Sequence, residues 1–176
     1  MSLKKLNNNS SSIVDSCFLK GKENTMKLRE MGIDLFLPRE TMDIQLECTG
    51  FLLYLKHFDH KQLNSEFTGE MCNYIGEEIV DFFIKNQKQY KKETPEKGDL
   101  IIYFQGKDLT NKTFKHVGLV DDNEKVISKF CEFSSYKHPI DLLLTNFGDN
   151  YLIFDYPKNI LQKIISNMYK KIKTKK

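Results

Sequence analysis

The sequence contains no C-x-x-C pair, no apolar run long enough for a membrane span and no internal repeat. The first absence removes zinc ribbons and thioredoxin-like sites, which need two thiols on one tight turn. The second argues against a helical membrane protein, and the third against solenoids. Charge of either sign is also scarce in surplus. The formal net charge is +3, with much of the excess in the last twenty residues, so the body lacks the basic footprint of a nucleic-acid groove. Residues 1–20 hold neither the apolar segment nor the small-residue cleavage site of a secretory signal. The expectation is a cytoplasmic protein, or one exported by a signal-independent route, whose Cys17, Cys48, Cys72 and Cys131 stay reduced. Metal motifs fall short as well. His57-x-x-His60 has no third ligand, and Asp121-Asp122-Asn123-Glu124 lacks the spacing of a calcium loop and reads as a solvated turn. No metal and no cofactor is expected.

What is present fits one soluble domain. Of 176 residues, 40% are apolar and 29% charged, enough to bury a core without collapsing into disorder. Asn7 to Ser12 is a polar low-complexity stretch, so residues 1–12 read as a lead-in, 13–157 as the domain and 158–176 as a basic amphipathic helix. Thr25 to Met31 reads as a helical turn, followed by Gly32 and an apolar segment, Ile33 to Leu37, halted by Pro38. Apolar residues between Cys48 and Phe58 are too dense for an alternating strand and suit a buried helix. Phe67, Met71, Tyr74, Ile75, Ile79, Phe82 and Phe83 recur at three- and four-residue intervals, the stripe of one or two amphipathic helices. Beyond Pro95 the texture changes to short strands: Leu100 to Phe104, Val117 to Val120, Lys125 to Phe130 and Tyr151 to Phe154. Helices first and a strand meander afterwards predict an α+β fold, N-terminal helices packed on an antiparallel sheet. In the tail, Ile160, Leu161, Ile164, Ile165, Met168, Tyr169 and Ile172 share one helical face, and seven lysines follow from Lys158 onward. Such a helix either covers its own domain, the favoured reading, or makes a peripheral membrane or protein contact.

Three blocks carry chemistry. Glu47-Cys48-Thr49-Gly50-Phe51 resembles the D-C-S-G-hydrophobic motif that opens the catalytic helix of NlpC/P60 cysteine peptidases, a papain-like family. Lys97-Gly98-Asp99-Leu100 is similar to the family's P-G-D-L strand, and His116-Val117-Gly118-Leu119 to its H-V-G-I strand. The blocks stand in the family's order over roughly half of the chain. The resemblance implies a papain-like fold and hydrolysis of a peptide or amide bond, in a cell-wall-type peptide or a γ-glutamyl-type amide. It also implies Cys48 as nucleophile, His116 as its general acid and base, and a polar third residue that orients the imidazole. Counting along the next strand makes Ser128 the candidate, with His138 as the fallback. Gln45, Thr49 and Gly50 are the expected substrate-binding positions, Gln45 as a possible oxyanion donor.

The chemistry also has a footing apart from the resemblance. A thiol at a helix N-terminus meets unpaired N–H groups and the positive end of the helix dipole, which favour the thiolate. A histidine at a strand start, beside a polar loop, could present its ring at the rim while Val117 and Leu119 alternate with it. The rival reading is a papain-like module whose pair has decayed and whose cleft or C-terminal helix binds a partner. The weak third residue favours that rival.

Overall fold

The computed structural model describes residues 25–30, 32–37, 46–58, 68–122, 125–130, 134–142 and 147–173. The lead-in over 1–12, Gln45, His60, Cys17 and Cys131 lie outside the described residues. In chain order the elements are α1 (Thr25–Glu30), β1 (Asp34–Leu37), α2 (Cys48–Lys56), α3 (Gly69–Lys85), α4 (Gln87–Tyr90) and β2 (Lys91–Lys92). There follow β3 (Leu100–Phe104), β4 (Phe114–Asp122), β5 (Lys125–Lys129), β6 (Ser135–Pro139), β7 (Asn150–Phe154) and α5 (Ile160–Lys173).

The strands form one sheet of order β1-β6-β5-β4-β3-β7-β2, with every neighbouring pair antiparallel. The α+β expectation therefore holds, with a sheet wider than the sequence suggested. Neither the short β2 nor β6 is among the strands expected from the sequence. Both lack an apolar pattern of their own and are held by pairing to their neighbours, β2 to β7 and β6 to β5.

Central strands are buried on both faces. Leu100 to Phe104 is apolar throughout and all five residues are buried, as a strand between two layers requires. On one face Leu100, Ile102, Phe104, Val117, Leu119, Ile127 and Phe154 meet Phe51, Leu52 and Leu53 of α2, Cys72, Ile79 and Phe83 of α3, and Ile160, Leu161 and Ile164 of α5. On the other, Ile101, Tyr103, Val126, Phe130 and Ile153 pack with Leu28 of α1, Ile33, Leu142 and Phe147. The apolar face of α5 is thus spent on the domain's own core through Ile164, and the helix is continuous with the domain rather than a separate tail. Side chains beyond Asn167 are outside the described residues.

Helices α2 and α3 cross closely because two glycines let them. A Cβ on Gly76 would overlap the carbonyl of Thr49, and one on Gly50 would overlap Asn73. Thr68 caps α3, its side chain accepting from the Met71 amide at 3.2 Å, an arrangement worth about 1 kcal/mol. At the start of α2 no side chain of its own N-cap serves. Instead the Glu47 N–H donates to Asn73 Oδ1 at 2.8 Å, so α3 fixes where α2 begins.

Candidate functional site

Cys48 is the first residue of α2, half-buried, and stands against the helix-side core. It lines a cleft of about 670 Å³ whose walls include Thr49, Tyr74, Glu77, Glu78 and Asp81 from the helices, Asn111 from the turn before β4, and Phe114 and Lys115 from the start of that strand. Among the described residues lining this cleft there is no histidine.

The structure does not bring His116 to Cys48. Strand β4 begins at Phe114, two residues before His116, so the imidazole is interior to a strand and 2% exposed rather than at a rim. Pairing with β3 sets its direction. Phe104 stands opposite Phe114 and Tyr103 opposite His116, with the irregularity at Lys115 taking up the extra residue. Phe104 and Phe114 lie against the helix-side core, whereas Tyr103 belongs to the other face. Side chains alternate along a strand, so with Val117 and Leu119 committed to the helices, His116 must point away from them. The expected thiol–imidazole pair is corrected accordingly: the two groups lie on opposite faces of the sheet. What β4 offers the cleft is Phe114 and the exposed Lys115.

On its own face His116 is one wall of an aromatic box. Its ring lies flat on Phe147, with centroids 3.7 Å apart and planes 11° from parallel. Phe130 and Tyr103 close the sides at 5.8 and 6.0 Å. Nε2 is buried with no hydrogen-bond partner. Burial first, and the nearby His138 second, hold the pKa of His116 well below the usual histidine range. A base that is neutral, sealed and facing away cannot take a proton from Cys48.

The expected third residue is also reassigned. Ser128 and His138 were alternatives for orienting His116; instead they bond to each other, Ser128 Oγ to His138 Nε2 at 2.8 Å. His138 Nδ1 lies 2.9 Å from the Pro139 carbonyl. A carbonyl can only accept, so Nδ1 carries the proton, and Nε2 accepts from the Ser128 hydroxyl. Both residues are fully buried, and burial lowers the pKa of His138 to about 4. Gly118, between His116 and these groups on the same face, makes room for the layer: a Cβ there would come within 2.6 Å of Val126 Cγ1 and 2.9 Å of Ser128 Cβ.

Of the expected substrate-binding positions, Thr49 lines the cleft, with its Oγ1 buried and unpartnered. Gly50 does not line it; it is buried where α2 meets α3, because that crossing tolerates no side chain. Glu77, Glu78 and Asp81, which also line the cleft, were not singled out in the sequence. Asp99, in the block similar to P-G-D-L, serves the turn before β3, accepting from the Glu96 amide at 2.8 Å and pairing with Lys92 at 2.9 Å. His57 sits against Tyr156, Nε2 to hydroxyl 2.9 Å, and no group of three or more metal-ligating side chains occurs among the described residues. No helix among the described residues is long and apolar enough to cross a membrane. No protein-family model, curated protein or solved structure matches this chain.

Proposed function

We propose that this chain is a papain-like module that retains the thiol-bearing helix but not the imidazole partner, and that it acts by binding a ligand in the cleft at the start of α2. The papain-like reading is supported by a cysteine-led helix packed on an antiparallel sheet, with the three sequence blocks in the family's order. The observation that carries the loss of catalysis is the direction of His116, stacked on Phe147 across the sheet from Cys48. Nucleophilic catalysis by a thiol needs its base within about 3 Å, directly or through one water. A buried β-sheet between the two groups removes that path.

One observation favours the hydrolase reading: Cys48 is half-buried, at a helix N-terminus and on a cleft wall, which is where thiolates are stabilised. Iodoacetamide labelling of Cys48, followed by peptide mass spectrometry across pH, separates the readings. In the binding module the pH profile of Cys48 labelling is the same in the wild type and in His116→Phe. A profile that loses its neutral-pH limb in His116→Phe restores the Cys48–His116 hydrolase.

A further inference from the structure

We infer that the aromatic layer over β4 and β5 is an acid-sensitive device: one proton taken up at His138 releases it while the helix-side core stays folded. The layer lies on the sheet face opposite α2, α3 and α5. There Tyr103, His116, Phe130, His138 and Phe147 meet, with neighbouring ring centroids 3.7 to 6.2 Å apart. Leu28, Ile33 and Leu142 pack with it. Among the described residues the cluster across the sheet is the larger of the two, so it has packing of its own when this one opens. The cleft beside Cys48 lies on the helix side and takes no part.

The two imidazoles differ in what a proton does to them. His138 holds both ring nitrogens in hydrogen bonds, Nδ1–H to the Pro139 carbonyl at 2.9 Å and Nε2 to the Ser128 hydroxyl at 2.8 Å. A hydroxyl can donate or accept, so a protonated Nε2 donates to Ser128 Oγ and neither bond is lost. A protonated His116 carries a hydrogen on both nitrogens, and the one on Nε2 has no acceptor. The first proton therefore goes to His138, and its charge opposes a second on His116. The surrounding elements supply no counter-charge. Tyr103 from β3, Tyr136 from β6 and Tyr151 from β7 are phenols whose pKa burial raises, so they stay neutral in acid. Asp141 acts on Tyr103 and Tyr151, and Arg29 and Glu30 of α1 are exposed. Lys125, Lys129 and Lys137 alternate with Val126, Ser128 and His138 and so face the helix side. Buried, His138 titrates at about 4 against an ordinary 6.5. Acid favours the open layer as pH falls through that window.

The test follows the full chain, labelled with carbon-13 and nitrogen-15, by NMR from pH 7 to pH 4. Two steps are expected. Ring signals of His116, Phe130 and Phe147 lose their stacked shifts first, and the His138 ring titrates at the same midpoint. Phe51 and Phe83, across the sheet, keep their shifts through that step. The ratio of open to closed layer should rise roughly tenfold between pH 6.5 and pH 5. His138→Gln keeps a donor for the Pro139 carbonyl and an acceptor for the Ser128 hydroxyl without titrating, and should remove the first step. His116→Phe should leave it in place. Signals on both faces lost together, His116 titrating before His138, no first step above pH 4, or a first step surviving in His138→Gln would each overturn the proposal. If His138→Gln does not fold, the order in which the two imidazoles of the wild type titrate decides it alone.

Discussion

The imidazole of His116 lies against the ring of Phe147, 3.7 Å between centroids and nearly parallel, and the thiol of Cys48 packs on the other side of the same sheet. That single contact turns a sequence pattern resembling a cysteine peptidase into a different object. The ring belongs to the core, its neighbours are aromatic, and its unpaired Nε2 is sealed among them.

Acid should therefore loosen this layer. The folded pKa of His138, about 4, lies below the ordinary value of 6.5, and that of His116 is lowered too. For a depressed pKa, stability is complete above the unfolded value and declines as pH falls from 6.5 towards 4. His138 alone accounts for roughly 3 kcal/mol at the low end. His57, lowered to about 4 by burial and by Lys56, titrates in the same window. Denaturant midpoints measured between pH 7 and pH 4 should fall steadily, and NMR titration of the individual imidazoles should find His116 and His138 neutral at pH 6. A flat midpoint over that range contradicts buried neutral histidines.

Ser128 should prove structural. Ser128→Ala strips His138 Nε2 of its donor in a fully buried setting and should cost about 1–3 kcal/mol by urea denaturation. Its effect on Cys48 labelling should be nil.

Gly76 sets the crossing of α2 on α3. Gly76→Ala drives a methyl into the Thr49 carbonyl; backbone cannot yield as a side chain can, so a loss at the upper end of about 1–3 kcal/mol is expected. Because Thr49 lines the cleft, the amide shifts of Thr49 and Glu77 should move with it.

The C-terminal helix should behave as core. Ile164 is buried among residues of the helix-side cluster, so Ile164→Ala should lower stability by about 2–5 kcal/mol. A helix reserved for a membrane or a partner would lose little on the same substitution.

Much of the fold could be read from the sequence because its signals are local. Cys48 to Lys56 is densely apolar, Leu100 to Phe104 is a bare apolar run, and Ile160, Leu161 and Ile164 recur at helical spacing; each became the expected element. Strands β2 and β6 could not be read this way. Lys91-Lys92 and Ser135 to Pro139 owe their structure to partners distant in the chain. The site failed at one residue of phase. Read as the first residue of its strand, His116 was free to face the thiol; once β4 starts at Phe114, the needs of Val117 and Leu119 decide its direction. Their alternation was visible beforehand, but which face held the helices was not.

The most direct test of the account is a proton NOE measurement on the His116 ring at neutral pH. Cross-peaks from its carbon-bound ring protons to the ring protons of Phe147 and Phe130, with none to the Cys48 β-protons, are the expected result. Cross-peaks to the Cys48 β-protons would place the imidazole beside the thiol and contradict it.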